Sequence, residues 1–186
     1  MNESMGWTNL FPTDTARTLY DLDFQALYDA GFRGIIYDID NTLVGHGAPM
    51  DTRAYTYLKA MQEMGFALCF VSNNGEARVA SFNEHIGAHY VYKAGKPKRY
   101  GYERAMELMG TTTDDTLFFG DQIFTDIWGA KRLGIPCILT KRLYPQEEIQ
   151  IHFKRILEWG VLLTYCLYRK VHPADFLEKT GSVKKE

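Results

Sequence analysis

Four short polar segments carry the residues whose types and spacing could perform chemistry. Asp38 and Asp40 are separated by one residue, and the other segments are Ser-Asn-Asn-Gly at 72–75, Gly-Lys-Pro at 95–97 and Gly-Asp at 120–121. Carboxylate oxygens are the hard ligands that Mg²⁺ prefers, together with waters and a phosphate oxygen. With that cation and a lysine nearby, a carboxylate can attack a phosphoryl group that it would otherwise repel. The residue set therefore predicts phosphoryl chemistry at a magnesium site.

Each of these segments follows an apolar run that predicts a strand. The runs are 34–39, 66–71, 89–92, 116–119 and 135–139, and segments with helical periodicity lie between them at 51–64, 76–86, 98–109 and 125–133. Helices between strands indicate right-handed crossovers and a parallel sheet that is covered on both faces. Such sheets bind ligands at the carboxyl ends of their strands. The sequence predicts a Rossmann-like α/β fold with five parallel strands and the site at that edge.

Taken one at a time, the segments have simpler structural explanations. An Asp-x-Asp after a strand commonly caps a helix or forms a turn, and Ser-Asn-Asn-Gly suits a turn followed by a helix N-cap. Lys96 before a proline is explained equally well as a solvated loop charge. Four such segments in order, each at a predicted strand end, are much harder to explain by capping alone.

The set resembles the four motifs of the haloacid dehalogenase (HAD) phosphatase superfamily. The matching residues are Asp-Ile-Asp-Asn-Thr at 38–42, Ser72, Lys-Pro at 96–97, and Gly-Asp at 120–121 with Asp126 five residues on. Three longer phrases are similar to the YqeG-like HAD-IIIA family, which includes mitochondrial phosphatidylglycerophosphate phosphatases: Asp-Asn-Thr-Leu-Val at 40–44, Val-Ser-Asn-Asn at 71–74 and Gly-Asp-Gln-x-x-Thr-Asp at 120–126. The resemblance runs from about Leu10 to about Tyr168 and so covers nearly the whole chain.

The resemblance implies catalytic roles for the matching positions. Asp38 would accept the phosphoryl group, and Asp40 would protonate the leaving alkoxide and then activate the hydrolytic water. Ser72 would hold a phosphoryl oxygen, and Lys96 would neutralise charge on the phosphate and on Asp38. Asn73, with the N–H groups that start the following helix, could also donate hydrogen bonds to phosphoryl oxygens.

The resemblance also implies a bound Mg²⁺. Asp38, Asp121 and the backbone carbonyl of Asp40 would be its protein ligands. Asp126 would influence the metal without binding it directly, or would orient Lys96.

The chain leaves no room for a separate cap domain over the site. Residues 43–49 contain only a Gly-His-Gly loop, and residues 74–96 are filled by one helix and one strand. Because an open cleft cannot exclude water from a small metabolite unaided, it suits a phosphate on a large substrate. We expect His46, in the loop beside the site, to be an ordinary exposed histidine.

A last amphipathic helix is predicted over residues 146–170. Basic residues bracket its aromatic and aliphatic centre: Lys154, Arg155, Arg169 and Lys170 around a segment that begins at Trp159. This pattern suits a helix that lies among lipid headgroups, with its cations near anionic lipid. Packing against the sheet, or a contact between copies of the chain, explains the same pattern.

Composition and charge narrow the class of protein. The 186 residues are 46% hydrophobic and 24% charged, as in one soluble globular domain. The net charge of −2 argues against nucleic-acid binding, but residues 1–150 carry −5 and residues 151–186 carry +3.

Three isolated cysteines, Cys69, Cys137 and Cys166, suggest buried core thiols in a reducing compartment. With no signal peptide and no spanning segment, we expect a cytoplasmic protein, peripheral at the inner face of a membrane.

These observations define the expected organisation. A lead-in segment (1–33), with one short helix near 24–30, precedes the catalytic core (34–142), the last helix (146–170) and a polar tail (171–186). The expected activity is Mg²⁺-dependent hydrolysis of a phosphate monoester through an aspartyl-phosphate, with phosphatidylglycerophosphate as the substrate. No nucleic acid and no specific protein partner are implied.

Three alternatives to this function stay open at this point. The chain could be a soluble phosphatase for nucleotides, sugar phosphates or phosphoproteins. It could be a phosphorylatable receiver switch, although receivers place the phosphoacceptor after a middle strand and not after the first. It could also be a HAD scaffold without catalysis, which the complete set of acidic motif residues disfavours.

Overall fold

Six parallel strands form one sheet in the computed structural model, which describes residues 7–143, 151–172 and 176–182, with residues 7 and 151–156 described by their backbone only. The strands are β1 (Asp14–Ala16), β2 (Gly34–Tyr37), β3 (Ala67–Val71), β4 (His89–Val91), β5 (Thr116–Gly120) and β6 (Cys137–Thr140). Their spatial order is β1-β6-β5-β2-β3-β4, and every neighbouring pair is parallel. The predicted α/β parallel sheet is confirmed, with six strands where five are predicted.

The additional strand, β1, lies in the lead-in segment and forms one edge of the sheet. It pairs with β6 in a register that aligns Asp14 with Ile138 and Ala16 with Thr140. Its three residues, Asp-Thr-Ala, contain no apolar run, so the hydrophobic pattern has nothing to detect. The strand forms because β6 offers an unpaired edge, which is a tertiary effect.

Seven α-helices surround the sheet in the described ranges. They are α1 (Phe24–Asp29), α2 (Thr52–Met64), α3 (Glu76–Asn83), α4 (Tyr100–Met109), α5 (Trp128–Lys131), α6 (Ile151–Val171) and α7 (Phe176–Lys179). Residues that commonly begin and end helices lie at the two ends of α2. The Asp51 carboxylate accepts a hydrogen bond from the N–H of Ala54 at 2.7 Å, and Gly65, with φ of 99°, ends the helix in the left-handed conformation.

A π-helical turn, Ile123–Ile127, precedes α5 where a continuous α-helix is predicted. The Gln122 carbonyl accepts hydrogen bonds from the N–H groups of both Asp126 and Ile127, at 3.0 and 3.2 Å. Such turns are rare and often occur at functional sites. Here the turn starts directly after the Gly-Asp motif at 120–121.

Alternation along the central strands builds two separate cores. In β2, Ile35 and Tyr37 enter the core under α1, α2 and α3, whereas Ile36 enters the core under α4 and α5. β5 divides in the same way, with Phe119 on the first face and Phe118 on the second. Because side chains alternate along a strand, the short apolar runs of the central strands contribute to the cores on both faces of the sheet.

The cysteines follow the predicted burial in two of three cases. Cys69 and Cys137 are free and buried in the core on the α4 side. Cys166 is free but exposed on α6, so the expectation of a core thiol is wrong for this residue.

Helix α6 is amphipathic, and one of its faces packs against the protein. Val161 and Tyr165 are buried, and the Tyr165 ring lies 5.5 Å from the Phe11 ring. Four apolar residues at i, i+4 spacing on the other face are 53–75% exposed: Trp159, Leu163, Leu167 and Val171. We call these four residues the outer stripe. None of the helices in the described ranges is long and apolar enough to cross a membrane.

The basic residues proposed to flank a lipid surface divide into different groups. Lys170 is exposed beside the outer stripe, whereas Arg169 forms an ion pair with Asp14 at 3.5 Å and belongs to the packed face. The side chains of Lys154 and Arg155 lie outside the described residues. Packing therefore explains Arg169, while Trp159 and Lys170 stay available for a contact with another surface.

A short helix, α7, lies within the segment predicted to be a polar tail. Leu177 is 4% exposed, and its N–H donates to Asp14 Oδ2 at 3.1 Å. Phe176 packs edge-on against Phe32, with 5.7 Å between the ring centroids. These contacts attach the segment to the lead-in region.

The close contact between α5 and α4 generates a stability prediction. A methyl group on Gly129 would overlap the Tyr102 hydroxyl, which donates to the Thr125 carbonyl at 2.8 Å. Because Tyr102 is fully buried and bonded, it cannot move aside without cost. We expect Gly129→Ala to lower the free energy of unfolding by about 1–3 kcal/mol in urea denaturation. In the matched change Gly160→Ala, the methyl group meets nothing within 4 Å, so stability should hold or rise; equal losses would contradict the prediction.

Candidate active site

The carboxyl ends of the central strands bring the predicted segments to one cleft. This cleft has a volume of about 120 Å³, and its lining includes Asp38, Asp40, Ser72, Asn73 and Lys96. His46 is exposed and also lines the cleft. Asp121 and Asp126, which follow β5, are buried beside Asp38. All the residues predicted to perform chemistry therefore converge at one edge of the sheet.

A tight turn after β2 presents the two carboxylates of the Asp-x-Asp pair. The N–H of Asp38 donates to the Phe119 carbonyl at 2.9 Å, which extends the sheet one residue past β2. Asn41 then takes a left-handed φ of 64°, and the next three N–H groups donate to the Ile39 carbonyl. Asn tolerates this conformation better than most residues because its side chain can bond locally. The turn holds Asp38 at the strand end and brings Asp40 back toward the cleft.

Lys96 connects two buried carboxylates at the centre of the site. Its ammonium nitrogen, Nζ, lies 2.5 Å from Asp38 Oδ1 and 2.7 Å from Asp126 Oδ1. The side chains are 4%, 9% and 0% exposed, in the order Lys96, Asp38, Asp126. Charges buried to this degree are stable only when they are paired and hydrogen-bonded. Lys96 is thus fixed by ionic contacts and is not the solvated loop charge of the simpler explanation.

Asn73 positions the backbone of Lys96. Its Oδ1 accepts from the Lys96 N–H at 2.7 Å, and its Nδ2 donates to the Lys96 carbonyl at 3.3 Å. The Asn73 amide nitrogen carries a second N–H beside the one that bonds to Lys96, and Asn73 lines the cleft, so phosphate binding by this side chain stays a prediction. Ser72 remains suited to that role, since its buried Oγ accepts from the Asn74 N–H at 3.2 Å and keeps its own O–H to donate.

Three hydrogen bonds hold the Asp40 carboxylate at the side of the cleft. Oδ1 accepts from the N–H of Gly47 at 2.9 Å and from Arg78 at 3.0 Å, and Oδ2 accepts from Asn74 at 2.5 Å. Arg78 is itself anchored to the Ala48 carbonyl at 2.6 Å. The Asp40 side chain is therefore directed away from the other carboxylates and faces the cleft as a separate group.

Burial shifts the protonation of the central groups. It raises the pKa of Asp38 to about 7, although Lys96 opposes this shift and Asp126 adds to it. Burial also raises the pKa of Asp121 well above its usual range, with further contributions from Asp126 and Asp38, while Arg142 lowers it. For Lys96, burial favours the neutral form, but Asp126 and Asp38 outweigh it and raise the pKa of the ammonium. The three buried carboxyl groups, Asp38, Asp121 and Asp126, thus outnumber the two cations that contact them, Lys96 and Arg142.

The donor set fits a hard divalent cation. Carboxylate oxygens of Asp38, Asp121 and Asp126 lie within 4.8 Å of one another. Asp121 Oδ1 is buried and has no hydrogen-bond partner, which leaves it available as a ligand. Both Asp126 oxygens are engaged, one by Lys96 and the other by the N–H of Gln122 at 3.1 Å. Asp38 and Asp121 are therefore the better ligands, and Asp126 orients Lys96.

Arg142 and Glu158 complete the site and were missed by the sequence reasoning. Arg142 Nε donates to Asp121 Oδ2 at 2.7 Å, and its guanidinium lies 3.8 Å from Glu158, which also accepts from the Ile123 N–H at 3.1 Å. Arg142 follows the last predicted strand, 135–139, so the expectation that functional residues lie at the carboxyl ends of strands could have identified it. Glu158 and Arg78 carry no local signal, because their partners Ile123 and Asp40 are 35 and 38 positions away.

The raised pKa of Asp38 predicts how stability depends on pH in the metal-free protein. The folded state binds the Asp38 proton more tightly than the unfolded state does, because the pKa rises from 3.8 to about 7. The stability from this group is therefore present at low pH and is lost as the pH rises through 7. Since Asp38→Asn cannot titrate, we expect the melting temperature of the wild type relative to this variant to fall between about pH 4 and pH 7 and to level off above pH 7.

The measurement is calorimetric melting of both proteins in a chelator, and each kcal/mol lost lowers the melting temperature by roughly 2–4 °C. A difference in melting temperature that stays constant over this range would show that burial does not raise the pKa of Asp38.

Comparisons with known proteins identify relatives of this chain. A family model described as haloacid dehalogenase-like hydrolase matches residues 49–134, which include Ser72, Lys96 and Asp121. The probable phosphatase YqeG of Bacillus subtilis is 33% identical over 162 residues, covering 87% of this chain and 93% of that protein. Phosphatidylglycerophosphate phosphatase 1, chloroplastic/mitochondrial, of Arabidopsis thaliana is 25% identical over 180 residues. That match covers 89% of this chain but only 51% of the longer plant protein.

A solved structure supports the fold independently of sequence. The cobalt-bound deoxy-D-mannose-octulosonate 8-phosphate phosphatase (YrbI) of Haemophilus influenzae superposes with a TM-score of 0.51 at 12% identity. The superposition covers 76% of this chain and 91% of that one, and it speaks to the fold alone. The identity to YqeG over most of both chains and the match to the family model allow one conclusion: the protein belongs to the HAD superfamily of hydrolases, in the phosphatase family that contains YqeG.

Proposed function

We propose that the protein is a Mg²⁺-dependent phosphatase that forms an aspartyl-phosphate on Asp38. One observation carries this proposal: Asp38 is buried against Lys96, and the neighbouring Asp121 presents an oxygen with no hydrogen-bond partner. A purely structural salt bridge does not need that additional carboxylate. Mg²⁺, held by Asp38 and Asp121, would offset the negative charge that otherwise keeps a phosphate away from a carboxylate.

The side chains of this site can perform both half-reactions. In the first, a carboxylate oxygen of Asp38 forms a bond to phosphorus while the bond to the substrate oxygen breaks, and the Asp40 carboxyl protonates the leaving alkoxide. In the second, the Asp40 carboxylate removes a proton from water, which attacks phosphorus and releases inorganic phosphate and the Asp38 carboxylate. Ser72 and Lys96 donate hydrogen bonds to phosphoryl oxygens during both steps.

We infer that phosphatidylglycerophosphate is the substrate. The relative from Arabidopsis thaliana is a phosphatidylglycerophosphate phosphatase by name. The architecture is consistent with a bulky substrate, since residues 43–49 form a loop and residues 74–96 hold only α3, β4 and their connections. Asp38 therefore lies in a small open cleft that can admit a phosphate projecting from a larger molecule.

We further infer that the outer stripe of α6 contacts the membrane that carries this lipid. Trp159, Leu163, Leu167 and Val171 form a continuous apolar face along about three helical turns, with exposed Lys170 next to it. Tryptophan and lysine are typical of helices that lie at the boundary between headgroups and acyl chains. Glu158 on the same helix bonds to Ile123 and lies close to Arg142, so the proposed membrane contact is attached to the catalytic edge.

The catalytic proposal predicts the behaviour of a nucleophile variant. Asp38→Asn should lower Mg²⁺-dependent phosphate release by roughly 10³-fold or more, because the amide cannot form the phosphoenzyme. The measurement is phosphate release from phosphatidylglycerophosphate, nucleotides and sugar phosphates. Asp51→Asn is the control, since asparagine caps a helix as well as aspartate does. Undiminished turnover in Asp38→Asn would exclude Asp38 as the nucleophile.

The same panel separates the alternative functions. Preferential release from nucleotides or sugar phosphates would indicate a phosphatase for soluble substrates. A phosphorylated Asp38 that is stable and does not turn over would indicate a switch. No phosphate release from any substrate would indicate a scaffold without catalysis.

The membrane proposal predicts a loss of vesicle binding when the outer stripe becomes polar. The double change Leu163→Gln, Leu167→Gln should lower partitioning to anionic vesicles by roughly tenfold or more, because each buried leucine side chain stabilises by about 1.5–3 kcal/mol. The measurement is co-sedimentation with phosphatidylglycerol vesicles at several salt concentrations. Leu157→Gln, at an exposed position outside the stripe, is the control; equal sedimentation of all proteins would exclude the stripe as the contact.

A further inference from the structure

A second and larger pocket lies at the catalytic edge of the sheet. Its volume is about 510 Å³, and it forms where β1 and β6 end and where α2 begins. Its charged lining residues are Arg17, Asp21, Arg53, Lys141 and Arg142. Because β1 and β6 run parallel to β5, their carboxyl ends open on the same side of the sheet as Asp121. The pocket therefore adjoins the catalytic site and carries four basic side chains against one acidic side chain.

Three of these basic side chains have no carboxylate partner among the described residues. Arg17 and Lys141 are exposed and form no ion pair with that part of the chain. The Arg53 guanidinium lies 3.8 Å from the centroid of the Tyr20 ring, which orients it without neutralising it. Like charges that converge in this way repel one another. A bound anion between these basic side chains would relieve their mutual repulsion.

Arg142 connects the pocket to the catalytic centre. It lines the pocket, while its Nε donates to Asp121 Oδ2 at 2.7 Å. A carboxylate oxygen of Asp121 lies within 4.8 Å of one of Asp38. An anion held by the pocket would thus lie only a short linker away from a phosphoryl group bound at Asp38.

We propose that this pocket binds a second anionic group of the substrate, a phosphodiester joined by a short linker to the phosphomonoester. The inference rests on the proposed function, because phosphatidylglycerophosphate carries these two groups on one glycerol. Guanidinium groups bind phosphate oxygens with two hydrogen bonds each, which suits Arg17 and Arg53. The small cleft would then take the monoester, and the larger basic pocket would select molecules that also carry the diester.

The test compares two substrates with related phosphomonoesters. Short-chain phosphatidylglycerophosphate, used below its micelle concentration so that no membrane contributes, carries the diester, whereas glycerol 3-phosphate lacks it. The variants are Arg17→Gln, Arg53→Gln and Lys141→Gln. Arg33→Gln is the control of equal charge, since Arg33 immediately precedes β2 and so lies at the opposite edge of the sheet.

We expect the wild type to prefer the diester substrate in kcat/KM, and each pocket variant to lower this preference by about tenfold, mainly through KM. The control should keep the preference of the wild type. Calorimetric titration with glycerophosphoglycerol, which has the diester and no monoester, gives a second measurement that does not depend on turnover. Its dissociation constant should rise by a similar factor in the pocket variants only.

The outcomes separate this inference from the proposed function. If the wild type hydrolyses phosphatidylglycerophosphate but the variants keep both its preference and its affinity for glycerophosphoglycerol, the pocket is not the diester site and the function stands. If the wild type hydrolyses glycerol 3-phosphate but not phosphatidylglycerophosphate, the substrate assignment fails. In that case the titration with glycerophosphoglycerol tests whether the pocket binds a diester. Binding that weakens only in the pocket variants supports a diester site. Binding that is absent, or equal in all the proteins, overturns it.

Discussion

The structure of the site depends on one interaction, the burial of the Lys96 ammonium between Asp38 and Asp126. A buried ammonium without partners would be strongly destabilising, so the surrounding elements must hold both carboxylates in place. The turn after β2 holds Asp38, and the π-helical turn holds Asp126. Gly120 is part of this arrangement, because a methyl group there would approach the Asp126 side chain to 2.6 Å. The sheet, the turn and the helix start are therefore built around one ionic contact.

The cluster of buried carboxylates costs folding stability, and its chemistry explains why such a cost is tolerated. Three buried carboxylates face one lysine and one arginine. Burial, with a further contribution from the neighbouring carboxylates, raises the pKa of both Asp38 and Asp121. Replacing such a group with an apolar one often stabilises a protein, which indicates that the excess charge is retained for chemistry. A divalent cation is the natural complement of this charge. Asp40 stays apart from the cluster because Arg78 and Asn74 bind it, which leaves it suited to proton transfer.

The elements around the catalytic edge form a connected surface. Glu158 of α6 bonds to Ile123 and lies near Arg142, and Arg142 bonds to Asp121. The helix with the outer stripe, the basic pocket and the buried carboxylates of the cleft are thus linked by direct contacts. Specificity in an open site would then come from groups that bind the substrate beside the reacting phosphate, rather than from a domain that closes over it.

The sequence by itself determined the α/β architecture, five of the six strands and the convergence of Asp38, Asp40, Ser72, Lys96, Asp121 and Asp126 at one edge, because these follow from periodicities and strand ends that are local. Only the tertiary structure decided the edge strand β1, the π-helical turn, the roles of Arg78 and Arg142, and the two faces of α6. Strand β1, the contact of Arg78 with Asp40 and the choice of which α6 face packs on Phe11 depend on partners far along the chain, so no local pattern encodes them. Arg142 is different, because its position after the last strand is a local signal. Asn73 shows the same limit: its type suggested phosphate binding, whereas its contacts with the Lys96 backbone, 23 positions away, became visible only in the fold.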